Sequence, residues 1–182
     1  DASSFEATLT FECSGSTPNA PRANDNCDGI IIGTTTTQFP VYENTEVTWS
    51  FTDNAGNTST TTQNIIIEDK TAPTPDVAIL EAVIFECQAD KLSAQTATDN
   101  CSGDVTVTND AILPITKTTT VTWTYTDESG NNSTQQQQIV INDKTAPVVD
   151  ASTFDATLTY ECSGSTPNAP RANDNCDGII IG

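Results

Sequence analysis

The feature that most restricts what this chain can fold into is that it repeats itself. Phe11-Glu12-Cys13 recurs as Phe85-Glu86-Cys87 and Tyr160-Glu161-Cys162, at offsets of 74 and 75 residues. Asp25-Asn26-Cys27 returns in phase as Asp99-Asn100-Cys101 and Asp174-Asn175-Cys176. Val47 to Asp53 matches Val121 to Asp127, and Asp69-Lys70-Thr71-Ala72-Pro73 matches Asp143-Lys144-Thr145-Ala146-Pro147. The period divides the chain into repeats at 1–72 and 73–146 and a partial repeat at 147–182. Residues 1–33 equal 150–182 except at Ser4/Thr153, Glu6/Asp155 and Phe11/Tyr160, whereas the middle repeat diverges, so the order of types is A, B, A. Duplication of a two-repeat unit points to a protein that needs length or multiplicity, and ending partway through a repeat leads us to expect a longer array.

Each repeat reads as β structure. Val47, Trp49 and Phe51 alternate with Thr48, Ser50 and Thr52, the period of a half-buried strand, and Val121, Trp123 and Tyr125 do the same. Thr58 to Glu68 and Ser133 to Asn142 follow Gly-containing turns, which makes two hairpins. Further strands are predicted at 6–12, 28–33 and 36–42. The 33 threonines favour a pleated strand with a solvated face. No segment keeps helical spacing over three turns, and Gly, Pro, Asn and Asp interrupt the chain every 8 to 12 residues. The predicted fold class is all-β, as tandem β-sandwich repeats joined by stiff proline-bearing links at 70–75 and 144–147 into an elongated rod.

Six Lys and Arg against 25 Asp and Glu leave a net charge of −19. Nucleic acid and anionic membrane surfaces are therefore poor partners, and no nucleic-acid partner is expected, since both are held through Lys and Arg. Nothing approaches the roughly 20 apolar residues that cross a bilayer, and the first residues lack the pattern of a signal peptide, so no membrane insertion by this segment is expected. With no His, no Ser/His/Asp set and no phosphate-cradling Gly loop, the chain reads as a non-enzyme.

Two cysteines lie fourteen positions apart in each repeat: Cys13/Cys27, Cys87/Cys101 and Cys162/Cys176. Pairing within each repeat is the simplest of the 15 possible arrangements and places the chain in an oxidising, extracellular compartment. Zinc binding would need more ligands than two Cys and no His supply, and free thiols are the other alternative. Trp49 and Trp123 are expected to pack over the disulfide as core, with carbohydrate stacking as the rival role.

The acidic excess makes calcium the candidate cofactor. The turn Asp53 to Asn57, repeated as Asp127 to Asn131, offers Asp53, Asn57, Asp127 and Asn131 as ligands, or is simply a hairpin loop closed by Gly. The cysteine-flanking residues Asp25, Asp28, Asp99 and Asp104 are a second candidate set, or exposed turn formers. Asp69 and Asp143, at the links, are a third, or solvated strand ends.

The series Glu-Cys, Asp-Asn-Cys-x-Gly, Val-Thr-Trp-x-aromatic-Thr-Asp-x-x-Gly-Asn and Asp-Lys-Thr-Ala-Pro resembles hyalin-type (HYR-like) immunoglobulin-fold repeats, found in very large surface proteins of Bacteroidota. The resemblance covers both full repeats and the partial third. It implies immunoglobulin-like modules in a structural or adhesive stalk on the cell surface, within a filament such as a gliding-motility adhesin exported by type IX secretion. Both cysteines here precede the Trp, whereas the antibody-type bridge spans it. The partners implied are neighbouring repeats, surface polysaccharide and other cell-surface proteins. The alternative is a carbohydrate-binding or accessory module array of a secreted hydrolase.

Overall fold

A computed structural model describes residues 5–101, 103–153 and 157–182. Its strands, in chain order, are β1 (Thr8–Glu12), β2 (Arg22–Asp25), β3 (Gly29–Ile32), β4 (Thr45–Thr52), β5 (Thr58–Glu68), β6 (Thr74–Pro75), β7 (Val83–Phe85), β8 (Ala97–Thr98), β9 (Thr106–Asn109), β10 (Thr119–Thr126), β11 (Asn132–Ile141), β12 (Val148–Asp150), β13 (Arg171–Asp174) and β14 (Gly178–Ile181). The only helical segment among the described residues is a 3-10 turn, Ala151–Thr153. The protein is all-β.

The chain falls into two compact units. The first holds the chain up to Thr74 with segments 97–106 and 126–133; the second holds 75–96, 107–125 and 134 onward. In the first unit β5 is the central strand of a three-stranded sheet, with β1 on one side and β4 on the other. β1 runs parallel to it, in register from Thr8↔Asn64 to Glu12↔Glu68. β4 is antiparallel, with Trp49 opposite Thr61. The alternation read from the sequence is what buries one face: Val47, Trp49 and Phe51 of β4 and Ile65 of β5 form the core with Val41. Leu9 and Phe11 of β1 close it on one side, while Ala23 and Ile31 of the β2–β3 hairpin pack across it as the second layer.

The second unit repeats the plan. β11 lies between β7, which is parallel to it with Ile139 opposite Val83, and β10, and β9 extends the sheet beyond β10. Val121, Trp123, Tyr125 and Ile139 are buried, with Ala89 and Ile115. The hairpin of β13 and β14 keeps the register of β2 and β3, Arg171↔Ile181 against Arg22↔Ile32, and β12 adds a third strand to it.

Each Trp carries a polar handle that must be satisfied once buried. The Trp49 indole N–H donates to Gln63 Oε1 (3.1 Å), and Gln63 Nε2 donates to the Glu6 carbonyl (2.7 Å). The Trp123 indole donates to Gln137 (3.1 Å), which donates onward to the Glu81 carbonyl (3.2 Å). Gln thus bridges Trp to the segment leading into the first strand in both copies.

Two expectations need correction. The stretch 36–42 is not a strand: Pro40 cannot donate to a ladder, and only Val41 makes an isolated bridge, to Gly15. Trp49 stands opposite Thr61, seven residues along β5 from Glu68 at whose level Cys13 emerges, so at about 3.3 Å per residue it lies roughly 20 Å from the Cys13 disulfide and does not pack over it.

Candidate functional site

The two cysteines of one repeat stand at opposite ends of it. Because β1 is parallel to β5 and Glu12 pairs with Glu68, Cys13 emerges where β5 finishes. Glu12 fixes that end: its carboxylate accepts from the Thr71 hydroxyl (2.6 Å) and from the backbone N–H groups of Lys70 (3.2 Å) and Thr71 (3.1 Å). These donors, the Thr71 hydroxyl foremost, hold its carboxyl below the usual range. Cys27 sits beyond β2, next to the turn where β5 begins, because Asp28 accepts from the backbone and side-chain amides of Asn54 (both 2.8 Å). The eleven residues of β5 run between these ends. At about 3.3 Å per residue that is about 30 Å, far beyond the roughly 7 Å between Cα atoms that a disulfide tolerates.

Pairing within the repeat is therefore replaced by pairing between successive repeats. Cys13 bonds Cys101, and Cys87 bonds Cys176, each with Cα atoms 4.8 Å apart. The first cysteine of one repeat takes the second cysteine of the next. Cys27 and Cys162, also expected in disulfides, are free and exposed. The two staples share their surroundings: Asn100 Nδ2 donates to Cys13 Sγ (3.1 Å) and Asn175 Nδ2 to Cys87 Sγ (3.3 Å). The Thr145 hydroxyl likewise donates to Glu86, as Thr71 does to Glu12.

Beside the first staple, within the first unit, Asp69, Asp99 and Asp127 each place a carboxylate oxygen within 4.8 Å of the others. They come from a link, a cysteine-flanking turn and a hairpin loop. Asp127 is 6% exposed, and Asp69 Oδ2 is buried without a hydrogen-bond donor. Asn131 ties the group together, donating its side-chain amide to Asp127 Oδ2 (2.9 Å) and to the Asp69 carbonyl (3.0 Å). An all-oxygen set of this charge suits a hard divalent cation such as calcium. Asp143 stands near Asp174 and Cys176, matching Asp69 near Asp99 and Cys101; the position matching Asp127 falls past Gly182. Cys101 and Cys176 are in disulfides and offer no thiolate.

The remaining candidates are spent on local hydrogen bonds. Asp53 accepts from the backbone and side-chain amides of Asn57 (both 2.7 Å), and that side-chain amide is the main reason its carboxyl lies below the usual range. Gly56 completes the loop at φ 88°, a conformation that favours glycine. Asp25 accepts from the backbone of Cys27 (2.7 Å) and Asp28 (2.9 Å), as Asp174 does from Cys176 and Asp177. Asp104 is exposed and joins no cluster among the described residues. Asp174 and the bridging Gln63 and Gln137 were missed from the sequence. Repetition could have flagged all three, since Asp174 matches Asp99 and each Gln lies fourteen residues after a Trp.

No protein-family model matches the chain. The chain is similar to hyalin of Lytechinus variegatus, 32% identical over 183 residues, covering 88% of this chain and 34% of that protein. Hyalin of Strongylocentrotus purpuratus is 31% identical over 202 residues, covering 96% of this chain and 17% of that protein. The chain therefore spans about a third of the length of the first of these curated relatives and about a sixth of the second. Among solved structures, protocadherin gamma B7 extracellular cadherin domains 1–4 align with 97% of this chain and 58% of theirs, at 10% identity and a TM-score of 0.36. Mouse protocadherin-24 EC1-3 aligns with 96% of this chain and 75% of its own, at 14% identity and a TM-score of 0.33. The fold rests on the sheets described above rather than on these alignments. No helix among the described residues is long and apolar enough to cross a membrane.

Proposed function

We propose that the chain is a run of extracellular adhesive repeats forming part of the stalk of a larger surface protein. The observation that carries this reading is the staple between successive repeats, Cys13–Cys101 and Cys87–Cys176. Each bond lies within one compact unit and ties sequence of one repeat to sequence of the next, so pulling consecutive repeats apart along the chain loads a covalent link, which is what a load-carrying array requires. The similarity to hyalin supports the adhesive part of the reading. The chemistry of disulfides supports an extracellular location. Export into a filament, and gliding motility as its use, rest on the repeat resemblance alone. Both Trp residues are buried and bonded to Gln, which removes them as platforms for stacking sugars in a carbohydrate-binding array.

Calcium belongs to the same proposal, held by Asp69, Asp99 and Asp127 beside the first staple. No catalytic role is assigned. The test is adhesion itself. Beads coated with the oxidised chain should attach to cells or surface polysaccharide, and many weak sites in parallel should make attachment depend steeply on coating density. Beads that attach no better than beads coated with the reduced, alkylated chain would overturn the adhesive reading. Small-angle scattering tests the stalk: an elongated particle is expected, and a compact globule would refute it.

A further inference from the structure

A cleft recurs at the same place in both units. In the first unit it measures about 930 Å³ and is lined by Leu9 of β1, by Pro18, Asn19 and Pro21 of the segment after Cys13, and by the buried Gln63 of β5. In the second it measures about 340 Å³, and the matching positions Val83, Leu92, Ser93, Gln95 and Gln137 line it. Both volumes fall within the roughly 300–1,000 Å³ of ligand-binding clefts. The second cleft lies in the middle repeat, with chain continuing on either side.

Each cleft carries a cation, supplied from a different position. Arg22 lines the first, where the middle repeat has Thr96; Lys91 lines the second, where the first repeat has Thr17. Arg171 holds the place of Arg22 in the third repeat, so three of the six basic residues stand at these positions in a chain with 25 acidic ones. Arg22 and Lys91 are exposed, and neither makes an ion pair among the described residues. Each cleft also adjoins a strand edge. β1 and β7 are the outermost strands of their sheets and pair on one side alone among the described residues. A strand paired on one side presents a row of N–H and C=O groups to another chain.

We propose that β1 and β7 each bind an extended peptide segment of a partner protein, which lays an aliphatic side chain in the cleft and an acidic one on Arg22 or Lys91. The open ladder edge selects a peptide over a sugar, and the apolar lining, with Phe51 in the first cleft and Phe85 in the second, takes its alternate side chains. The cation selects a single carboxylate, because a chain of net charge −19 repels a polyanion. The inference rests on the adhesive reading for the identity of the partner alone. Peptide binding is measured in solution, so it can fail while coated beads attach, and attachment can fail while peptide binds.

The test titrates the whole oxidised chain, in EGTA, with an acetylated and amidated heptapeptide that alternates valine and threonine around one central glutamate, followed by amide NMR. Amide shifts and slowed hydrogen exchange are expected along Thr8–Glu12 and Val83–Phe85. Arg22→Gln should weaken the first site and Lys91→Gln the second, each roughly two- to fivefold as for an exposed ion pair. Lys117→Gln, outside both clefts, should weaken neither. Ser93→Trp, at an exposed position, should block the second site and leave the first. The proposal is overturned if neither strand responds, or if Lys117→Gln weakens binding as much as Lys91→Gln. It is overturned if the peptide with lysine in place of glutamate binds more tightly, which marks bulk charge, or if N-methylating the peptide amides leaves binding unchanged, which removes the ladder. Shifts that appear on concentrating the chain alone would give the edges to a second copy, and shifts with maltohexaose but not with peptide would give the clefts to a sugar; either overturns it as well.

Discussion

Replacing Gln63 by Leu should destabilise the first unit by about 2 kcal/mol, although the substitution keeps side-chain volume and adds apolar surface. Trp49 and Gln63 are each 3% exposed, and the Gln accepts from the indole while donating to the Glu6 carbonyl. Leu leaves the indole N–H buried with no acceptor, a penalty of about 1–3 kcal/mol, and removes the donor from a half-buried carbonyl that water can partly serve. Added apolar burial offsets only a fraction of this. For a cooperative unit of under about 100 residues, 1 kcal/mol moves the midpoint by roughly 4–8 °C, so a fall of about 10 °C is expected in calorimetry or near-ultraviolet circular dichroism. Trp49→Phe removes the orphaned donor, so the double variant should be more stable than the sum of the two single effects by about 1–2 kcal/mol. Gln137→Leu should reproduce the loss in the second unit, where the Trp123 bond has the same length. If Gln63→Leu unfolds within about 0.5 kcal/mol of wild type, or if the two changes simply add, the bridge is not the stabilising element described here.

Cys13→Ser should cost on the order of 4–5 kcal/mol, from the entropy of closing an 88-residue loop, while Cys27→Ser should leave urea unfolding unchanged; equal losses would point to a bond between the two. Calcium should raise the melting midpoint relative to EGTA, by about 2.7 kcal/mol of stability at a hundredfold excess over Kd, and Asp127→Asn should abolish the increase. A midpoint indifferent to calcium removes the ion from the account. The Glu12 carboxyl is held below its ordinary value of 4.5 in the folded state, so its contribution is present above that pH and is lost as pH falls through the lowered value. Glu12→Gln should therefore flatten the acid limb of the stability curve, and an unchanged limb would show that Thr71 does not stabilise the ionised form.

Much of the fold could be read directly. Alternation along Val47 to Phe51 and Val121 to Tyr125 located β4 and β10 and both Trp side chains, because a half-buried strand imposes its period on the residues. β2 was not legible: Arg22-Ala23-Asn24-Asp25 has no β-branched residue, and it is a strand because it pairs with β3. The cysteine pairing was ambiguous in principle. In a periodic chain, a partner fourteen residues away and a partner one repeat further on satisfy every copy equally well, and only the direction of β1 relative to β5 decides between them. Asp69, Asp99 and Asp127 could be named singly from their turns. That they converge, while Asp28, Asp53 and Asp104 do not join them, follows from the second repeat lending its 97–106 and 126–133 segments to the first unit.

Mass spectrometry of the unreduced, oxidised chain tests the central claim most directly, by digestion between all six cysteines and identification of the linked peptides. Cys13 joined to Cys101 and Cys87 joined to Cys176 is the predicted result. Recovery of Cys13 with Cys27 and Cys87 with Cys101 would contradict it, and with it the reading of the repeats as a stapled array.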